Sequence, residues 1–337
     1  MDPAAEKKRM CVTGAGGFIA SWLVKLLLSK GYIVHGTVRD PSDPKNAHLK
    51  ELHPTATDNL KLFKVDLLDY ESVASAIAGC EGVFHVASPV PSTRVPNPEA
   101  KVIEPAVTGT LNVLKACSEA KVKRVVVVSS IVAVVMSPDA KGKILDESAW
   151  SDAEYCRKTE FEIKEGTTNK DAGDGLEVFK LGLCNKREAM NYGEKHGLDV
   201  VSVCPSYVIG PLLQPTVNAS SLFLINILNG THSSMENRLF YLVDVRDVAD
   251  ALFLVYEKPE ASGRHSCAPY EVKMPDLIDM LRSLYPNYKY PEKFTEAKSY
   301  RLRSEKLEKL GLRYRTMKES LIDTVECYRN AGLMDSA

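Results

Sequence analysis

A glycine-rich run near the start of the chain has the composition and spacing of a phosphate-binding turn. Gly14, Gly16 and Gly17 follow a short apolar stretch and precede residues with apolar side chains at helical spacing. Glycines permit a tight turn, and the free N–H groups at a helix N-terminus attract an anion. Ala20 is small enough for the helix to pack against the strand. The pattern predicts that the pyrophosphate of a dinucleotide binds at Gly14, Ala15, Gly16, Gly17, Phe18, Ile19 and Ala20.

Two basic residues one strand later predict which dinucleotide binds. In NAD enzymes an acidic residue at the end of the second strand holds the ribose 2′-hydroxyl, whereas a 2′-phosphate requires positive charge there. Here Arg39 ends the strand and Lys45 follows in the next loop. Arginine suits bidentate phosphate binding, and lysine adds a second charge. These residues predict NADP(H). Two alternatives stay open: Asp40 serves NAD, or Lys45 is an ordinary solvated charge.

Other candidate residues follow the remaining strands at the carboxyl edge of the predicted sheet, where ligands of open α/β sheets bind. They are Asp66 and Leu67 after the third strand, Val86, Ala87 and Ser88 after the fourth, and Ser130 after the fifth. Asp66 is expected to accept a hydrogen bond from the adenine amino group, and a helix N-cap is its alternative role. Serines at strand ends are common, so Ser130 is not assigned to catalysis on its position alone.

The elements that must position these residues are alternating strands and helices. The expected strands are residues 10–13, 33–38, 60–66, 82–86 and 124–129, with a sixth at 199–204. Helical spacing of apolar residues marks 18–29, 72–78 and 105–120 between the first five. This order is typical of βαβ units that wind a parallel sheet. The fold class is therefore α/β: a Rossmann-type, doubly wound parallel sheet with a smaller C-terminal substrate lobe.

The chain is long enough for two lobes, since a single core stops growing at about 250 to 300 residues. Of its 337 residues, we assign 1–210 to the NADP(H)-binding domain, with a polar insertion at about 161–177. Residues 211–337 are expected to form mainly the C-terminal lobe, with helices at 221–229, 245–256, 275–284 and 317–331. Such a lobe usually sets substrate choice.

Composition excludes several classes of protein. The 43 basic and 44 acidic residues are scattered, so no charged field predicts nucleic acid or an anionic membrane as a partner. The eight cysteines contain no Cys-x-x-Cys pair, and several lie in apolar runs, which is typical of free thiols in a reducing compartment. No apolar stretch resembles a signal peptide. A near-neutral cytoplasmic enzyme is expected, with its oligomeric state left open and no metal site predicted.

Motifs along nearly the whole chain resemble the plant cinnamoyl-CoA reductases and their relatives. The motifs are VTGAGGFIASW at 12–22, GTVRDP at 36–41, PKNAHL at 44–49, DLLDY at 66–70, VFHVASP at 83–89 and GPLLQPTVNAS at 210–220. LVDVRDVAD at 242–250 and SEKLEKLG at 304–311 look most like the cinnamoyl-CoA-reductase-like branch. These proteins are extended short-chain dehydrogenase/reductases, a group that also includes dihydroflavonol reductases. The resemblance implies an NADPH-dependent reductase of a small aromatic carbonyl compound or CoA thioester.

The resemblance also implies a catalytic Ser, Tyr and Lys. In the family the serine polarises the carbonyl, the tyrosine supplies a proton, and the lysine binds the nicotinamide ribose and lowers the tyrosine pKa. The serine maps onto Ser130. By the same resemblance Pro205, Ser206, Tyr207 and Val208 face the nicotinamide, and Ser220 reaches the cofactor phosphates.

The Tyr-x-x-x-Lys pair of the family is absent. Alignment without gaps back from residue 197 places Val178 at the tyrosine position and Gly182 at the lysine position. Tyr155 and Tyr192 do not supply a displaced pair, because neither has a lysine four residues on. Loss of a general acid typically costs about 10²- to 10⁴-fold in rate.

Three hypotheses follow from that loss. The protein is a reductase that keeps Ser130 and uses another acid, or a non-catalytic NADP(H)-binding sensor or interaction protein. In the third, residues 161–177 are foreign to the working protein, as a retained intron would be.

Overall fold

The computed structural model describes residues 7–88, 104–140, 142–152, 154–156, 187–297, 299–303 and 305–334. The insertion predicted at 161–177, positions 178 and 182, and Cys184 lie outside the described residues.

Seven parallel strands form the main sheet. They are β1 (Arg9–Thr13), β2 (Ile33–Val38), β3 (Leu60–Lys64), β4 (Gly82–His85), β5 (Arg124–Val128), β7 (Val200–Pro205) and β11 (Gly263–Cys267). Their spatial order is β11-β7-β5-β4-β1-β2-β3. The order reverses direction between β1 and β4. In open α/β sheets a ligand binds outside the carboxyl ends of the strands at such a reversal. The predicted Rossmann-type fold is confirmed.

Helices cover both faces of this sheet. They are α1 (Phe18–Ser29), α2 (Ala56–Asn59), α3 (Tyr70–Ile77), α4 (Glu104–Glu119), α5 (Val132–Val135), α6 (Arg187–His196) and, after the lobe begins, α8 (Val245–Glu257). Successive residues of a strand point to opposite faces. Val126 and Val128 of β5 accordingly pack in the core with α1 and α8, whereas Val125 and Val127 pack with α3 and α4. Burial on both faces explains why β5 is a continuous run of valines.

The smaller lobe has its own core and sheet. Its three-stranded sheet contains β8 (Tyr207–Ile209), β10 (Leu239–Asp244) and β12 (Tyr270–Lys273), with β10 in the centre. Two-stranded pairs join β6 (Ile144–Leu145) to β14 (Arg301–Leu302) and β9 (Ser234–Asn237) to β13 (Lys293–Glu296). The helices are α7 (Ala219–Leu228), α9 (Met274–Leu284) and α11 (Met317–Asn330), whereas α10 (Lys306–Lys309) packs against β11 of the main sheet. Among the described helices, none combines the length and apolar character needed to cross a bilayer.

The sequence missed one strand of the main sheet. β11 contains Gly-Arg-His-Ser-Cys, which lacks the apolar pattern of a buried strand, yet it pairs along β7. Residues 245–267 therefore return to the main sheet through α8 and β11. The segment after residue 210, predicted to form mainly the smaller lobe, thus also supplies one helix and one strand to the main sheet. The strands and helices that the sequence predicted are all present, and their ends differ from the predicted ones by at most two residues.

Burial of His265 on β11 predicts a stability that depends on pH. The side chain is 1 % exposed, and desolvation lowers the pKa of its imidazole from 6.5 to about 4. Because the unfolded chain binds the proton more readily, acidification from pH 6.5 to 4 removes stability. We expect a loss of about 3 kcal/mol across this window. Urea unfolding of wild type and His265→Leu at several pH values measures the difference. Equal pH slopes in the two proteins would contradict the prediction.

Candidate active site

The glycine-rich turn lies at the carboxyl end of β1, beside the reversal in strand order. Gly14 has φ +67°, and a Cβ there would lie 3.1 Å from the Cβ of Ala87. Gly17 is the N-cap of α1, and the first helical hydrogen bond runs from Ser21 N to Gly17 O. The N–H groups of residues 18–20 therefore begin the helix without a ladder partner, which is the arrangement that binds a pyrophosphate.

A loop that follows β2 packs directly on this turn through two side chains the sequence did not assign. Asn46 is buried, its Nδ2 donates to Asp40 O at 2.8 Å, and its Oδ1 would lie 2.3 Å from a Cβ added to Gly16. His48 Nε2 lies 3.0 Å from the hydroxyl of Ser21 on α1. Both residues belong to the PKNAHL motif at 44–49, so that motif is the sequence feature from which their role could have been found. This loop fixes the distance between the glycine turn and the residues expected at the 2′-phosphate.

The structure places Arg39 and Lys45 on the exposed side of that loop. Arg39 follows β2 and is exposed. Lys45 Nζ lies 2.6 Å from Asp43 Oδ2. Asp40 accepts hydrogen bonds from the backbone and hydroxyl of Ser42, at 2.9 and 2.7 Å, and these bonds lower the pKa of its carboxyl.

A chain of hydrogen bonds joins β1 to β4 behind the turn. Thr13 Oγ1 accepts from the backbone N of Val86 and Ala87, at 3.1 and 3.0 Å, so its proton points to His85 Nδ1 at 3.0 Å. Since Nδ1 accepts, we infer that the imidazole is neutral and carries its proton on Nε2. Nε2 then donates to Thr110 Oγ1 at 3.1 Å. These hydrogen bonds hold Val86 and Ala87, two predicted cofactor residues, against Gly14. Ser88 follows and is half-buried.

Asp66 and Leu67 lie beyond the end of β3. Asp66 is exposed, and its Oδ1 accepts from Leu68 N at 3.0 Å. The N-cap alternative for Asp66 is wrong, because Asp69 caps α3 by accepting from Glu71 N. Leu67 accepts a hydrogen bond from Asn112 at its carbonyl. The carboxyl of Asp66 thus remains at the edge where the adenine was expected.

Ser130 and the segment after β7 meet at the other side of the reversal. Ser130 Oγ accepts from Val132 N at 3.2 Å at the start of α5. The next residue, Ile131, donates its N–H to Pro205 O at 3.0 Å. Ser206 and Val208 are buried and Tyr207 is half-buried. Two strand spacings separate β5 from β1, so Ser130 lies about 10 Å across the sheet from the glycine turn, a distance that a dinucleotide spans.

Ser220 lies in the first turn of α7. Its hydroxyl accepts from Asn218 Nδ2 at 2.7 Å. The structure therefore gives this hydroxyl a local partner at the helix start, and its expected contact with the cofactor phosphates stays a prediction.

Comparisons with known proteins agree with this arrangement. Residues 10–162 match the model of the NAD dependent epimerase/dehydratase family. Cinnamoyl-CoA reductase 1 of Petunia hybrida is 44 % identical over 329 residues, which cover 96 % of this chain and 92 % of that protein. The chain belongs to the cinnamoyl-CoA reductase family. Cinnamoyl-CoA reductase 2 of Medicago truncatula is also 44 % identical, with the same coverage. A crystal structure of vestitone reductase from alfalfa (Medicago sativa) has a TM-score of 0.81 and 31 % identity, covering 97 % of this chain and 100 % of that one.

The positive φ and close approach at Gly14 give a prediction with a matched control. Gly14→Ala introduces a Cβ that displaces Ala87, whereas Gly31 has φ +83° and open space around a built Cβ. Both alanine variants are expected to lose about 1 kcal/mol of stability to the left-handed conformation. Only Gly14→Ala should also weaken NADPH binding, by tenfold or more. Thermal unfolding and NADPH titration of both variants test this, and equal affinities in the two would contradict it.

Proposed function

We propose that this protein is an NADPH-dependent reductase of aromatic carbonyl compounds, with hydroxycinnamoyl-CoA thioesters as its substrate class and with impaired proton transfer. Its membership of the cinnamoyl-CoA reductase family supports a role as a reductase in phenylpropanoid metabolism. The names of its relatives, cinnamoyl-CoA reductase and vestitone reductase, support an aromatic carbonyl substrate. We further propose a cytoplasmic location, since no disulfide joins any two of the described cysteines, six of which are buried.

The observation that carries the cofactor assignment is the position of Arg39. It follows β2 on the loop that Asn46 fixes against the glycine turn, and it is exposed to a ligand at that edge. A guanidinium binds a 2′-phosphate through two parallel hydrogen bonds. Asp40 is less suited to a ribose hydroxyl, because the Oδ1 of its carboxylate already accepts from Ser42. We propose the whole cofactor set of the sequence prediction as the NADP(H) site.

An aromatic cluster that includes Tyr207, one of the residues proposed to face the nicotinamide, packs in the core of the smaller lobe. The Tyr207 ring lies 5.0 Å from the Phe223 ring, and Phe223 stacks on Phe240 at 5.8 Å. NADPH, when bound, supplies a hydride to the carbonyl carbon. Ser130 would donate a hydrogen bond to the carbonyl oxygen as negative charge develops on it. The proton that this oxygen needs has no assigned donor, because Val178 and Gly182 replace the family pair.

Paired measurements of NADPH binding and NADPH oxidation on the purified full chain test the proposal. Binding is followed by titration calorimetry, and oxidation by absorbance with feruloyl-CoA and a panel of aromatic aldehydes. We expect saturable binding and slow turnover. Turnover at the rates of the family's competent members would contradict the impaired proton transfer. Absence of NADPH binding would overturn the cofactor assignment.

A second candidate is a non-catalytic NADP(H)-binding sensor or interaction protein. The sequence observation that favours it is the joint loss of tyrosine and lysine next to an intact glycine turn. It predicts NADPH binding with no oxidation for any carbonyl compound in the panel. The same pair of measurements therefore separates the two functions.

A further inference from the structure

A buried arginine on β11 contacts the structure that surrounds Ser130. Arg264 is 6 % exposed. Its Nη1 donates to Ala133 O at 3.2 Å, and its Nη2 donates to Glu147 O at 2.6 Å and also to Ala149 O. The guanidinium lies over the Trp150 ring, 3.5 Å from its centroid. One side chain thus joins an edge strand, the helix that follows Ser130, and the loop 146–152.

The end of the same loop is bonded to α5. Ser151 N donates to Ala133 O at 3.1 Å, and Ser151 Oγ accepts from Met136 N at 2.8 Å and donates to Val132 O. Glu147 Oε1 accepts from Ser266 N on β11 at 3.1 Å. The loop is therefore held between α5 and β11, and Arg264 crosses from one side to the other.

These bonds reach Ser130 through the first turn of α5. Ser130 Oγ accepts from Val132 N, and Ser130 O accepts from Ala133 N at 3.0 Å. Ala133 therefore donates to Ser130 with its N–H while its carbonyl accepts from Arg264 and Ser151. Ala133 therefore links Arg264 to the turn in which Val132 N bonds the Ser130 hydroxyl.

We infer that Arg264, stacked on Trp150, is a positioning residue for Ser130 in carbonyl reduction. This inference rests on the proposed function. Lysine cannot replace it, because an ammonium lacks the planar fork that reaches three carbonyls and stacks on an indole. A displacement near 1 Å of a catalytic group costs about 10²-fold in rate. Arg264→Lys is therefore expected to lower kcat by 10- to 100-fold, with little change in the NADPH dissociation constant.

The chain supplies a matched control on an interior strand of the same sheet. Arg124, at the amino end of β5, is 8 % exposed and also donates to three carbonyls, those of Val255, Lys258 and Pro259. Arg124→Lys removes a similar buried network but lies far from the carboxyl edge. Both variants are expected to lose similar thermal stability, and only Arg264→Lys should lose kcat. A loss of kcat in both, or in neither, would overturn the assignment.

Amide hydrogen exchange tests the coupling between Arg264 and the Ser130 turn without a catalytic assay. Arg264→Lys is expected to raise exchange at Val132 and Ala133 by tenfold or more, whereas Arg124→Lys leaves these amides unchanged. Unchanged exchange at both amides in Arg264→Lys would contradict the positioning role. If the wild type oxidises no NADPH with any carbonyl compound, the proposed function fails, and exchange still decides whether Arg264 fixes the Ser130 turn.

Discussion

Restoring the missing pair is expected to raise carbonyl reduction by about 10²- to 10⁴-fold, the contribution of a positioned general acid. The variant lacks residues 161–177 and carries Val178→Tyr and Gly182→Lys. The tyrosine would give its proton to the carbonyl oxygen that Ser130 polarises, and the lysine would lower the tyrosine pKa. The measurement is kcat for NADPH oxidation with feruloyl-CoA, compared with the unmodified chain.

A control variant differs from the restored one by a single hydroxyl. It has the same deletion and Gly182→Lys, with Val178→Phe in place of Val178→Tyr. It should bind NADPH as the restored variant does and remain slow. If the phenylalanine variant gains as much rate, the gain comes from the deletion, and the missing proton donor is not the cause of impaired turnover. No gain in either variant would contradict the register that places the pair at 178 and 182.

Replacement of Arg39 is expected to change which cofactor binds. Arg39→Gln removes the guanidinium at the end of β2, and loss of a charge-assisted hydrogen bond pair costs about 1.5 to 3 kcal/mol. The NADPH dissociation constant should therefore rise by about 10- to 150-fold. NADH has no 2′-phosphate, so its affinity should change little. Titration of both cofactors gives the ratio directly.

Arg313→Gln is the matched control, since Arg313 is also exposed but is not among the proposed cofactor-binding residues. It should leave both affinities unchanged. If Arg39→Gln weakens NADH and NADPH equally, Arg39 stabilises the loop and does not contact the phosphate, and the cofactor preference must come from another residue.

The glycine turn was predictable because its chemistry is local. Tight turns, helix starts and strand ends leave their signals within a few residues, so Gly14, Gly17 and Arg39 lie where the sequence placed them. The N-cap of α3 was not predictable in the same way. The sequence allowed Asp66 that role, but α3 begins at Tyr70, so Asp69 caps it.

Contacts between distant segments were not predictable from local pattern. β11 is buried although its sequence is polar. Arg264 donates hydrogen bonds to segments that are distant in sequence, and the surrounding protein shields His265 from water. The hydrogen bonds from Thr13 through His85 to Thr110 likewise join residues that lie far apart in the sequence. Such partners are fixed by the tertiary fold, so residue type and spacing alone gave His85 and Arg264 no role.

The position of β11 in the chain also has a consequence for biosynthesis. β7 ends at Pro205, and its neighbour on the outer side is complete only at Cys267, about 60 residues later. At about 5 to 20 residues per second, a ribosome needs several seconds to make that stretch. During this interval β7 presents unpaired N–H and C=O groups, which is the surface that templates intermolecular pairing. The nascent protein therefore carries an unpaired sheet edge from the synthesis of Pro205 until that of Cys267.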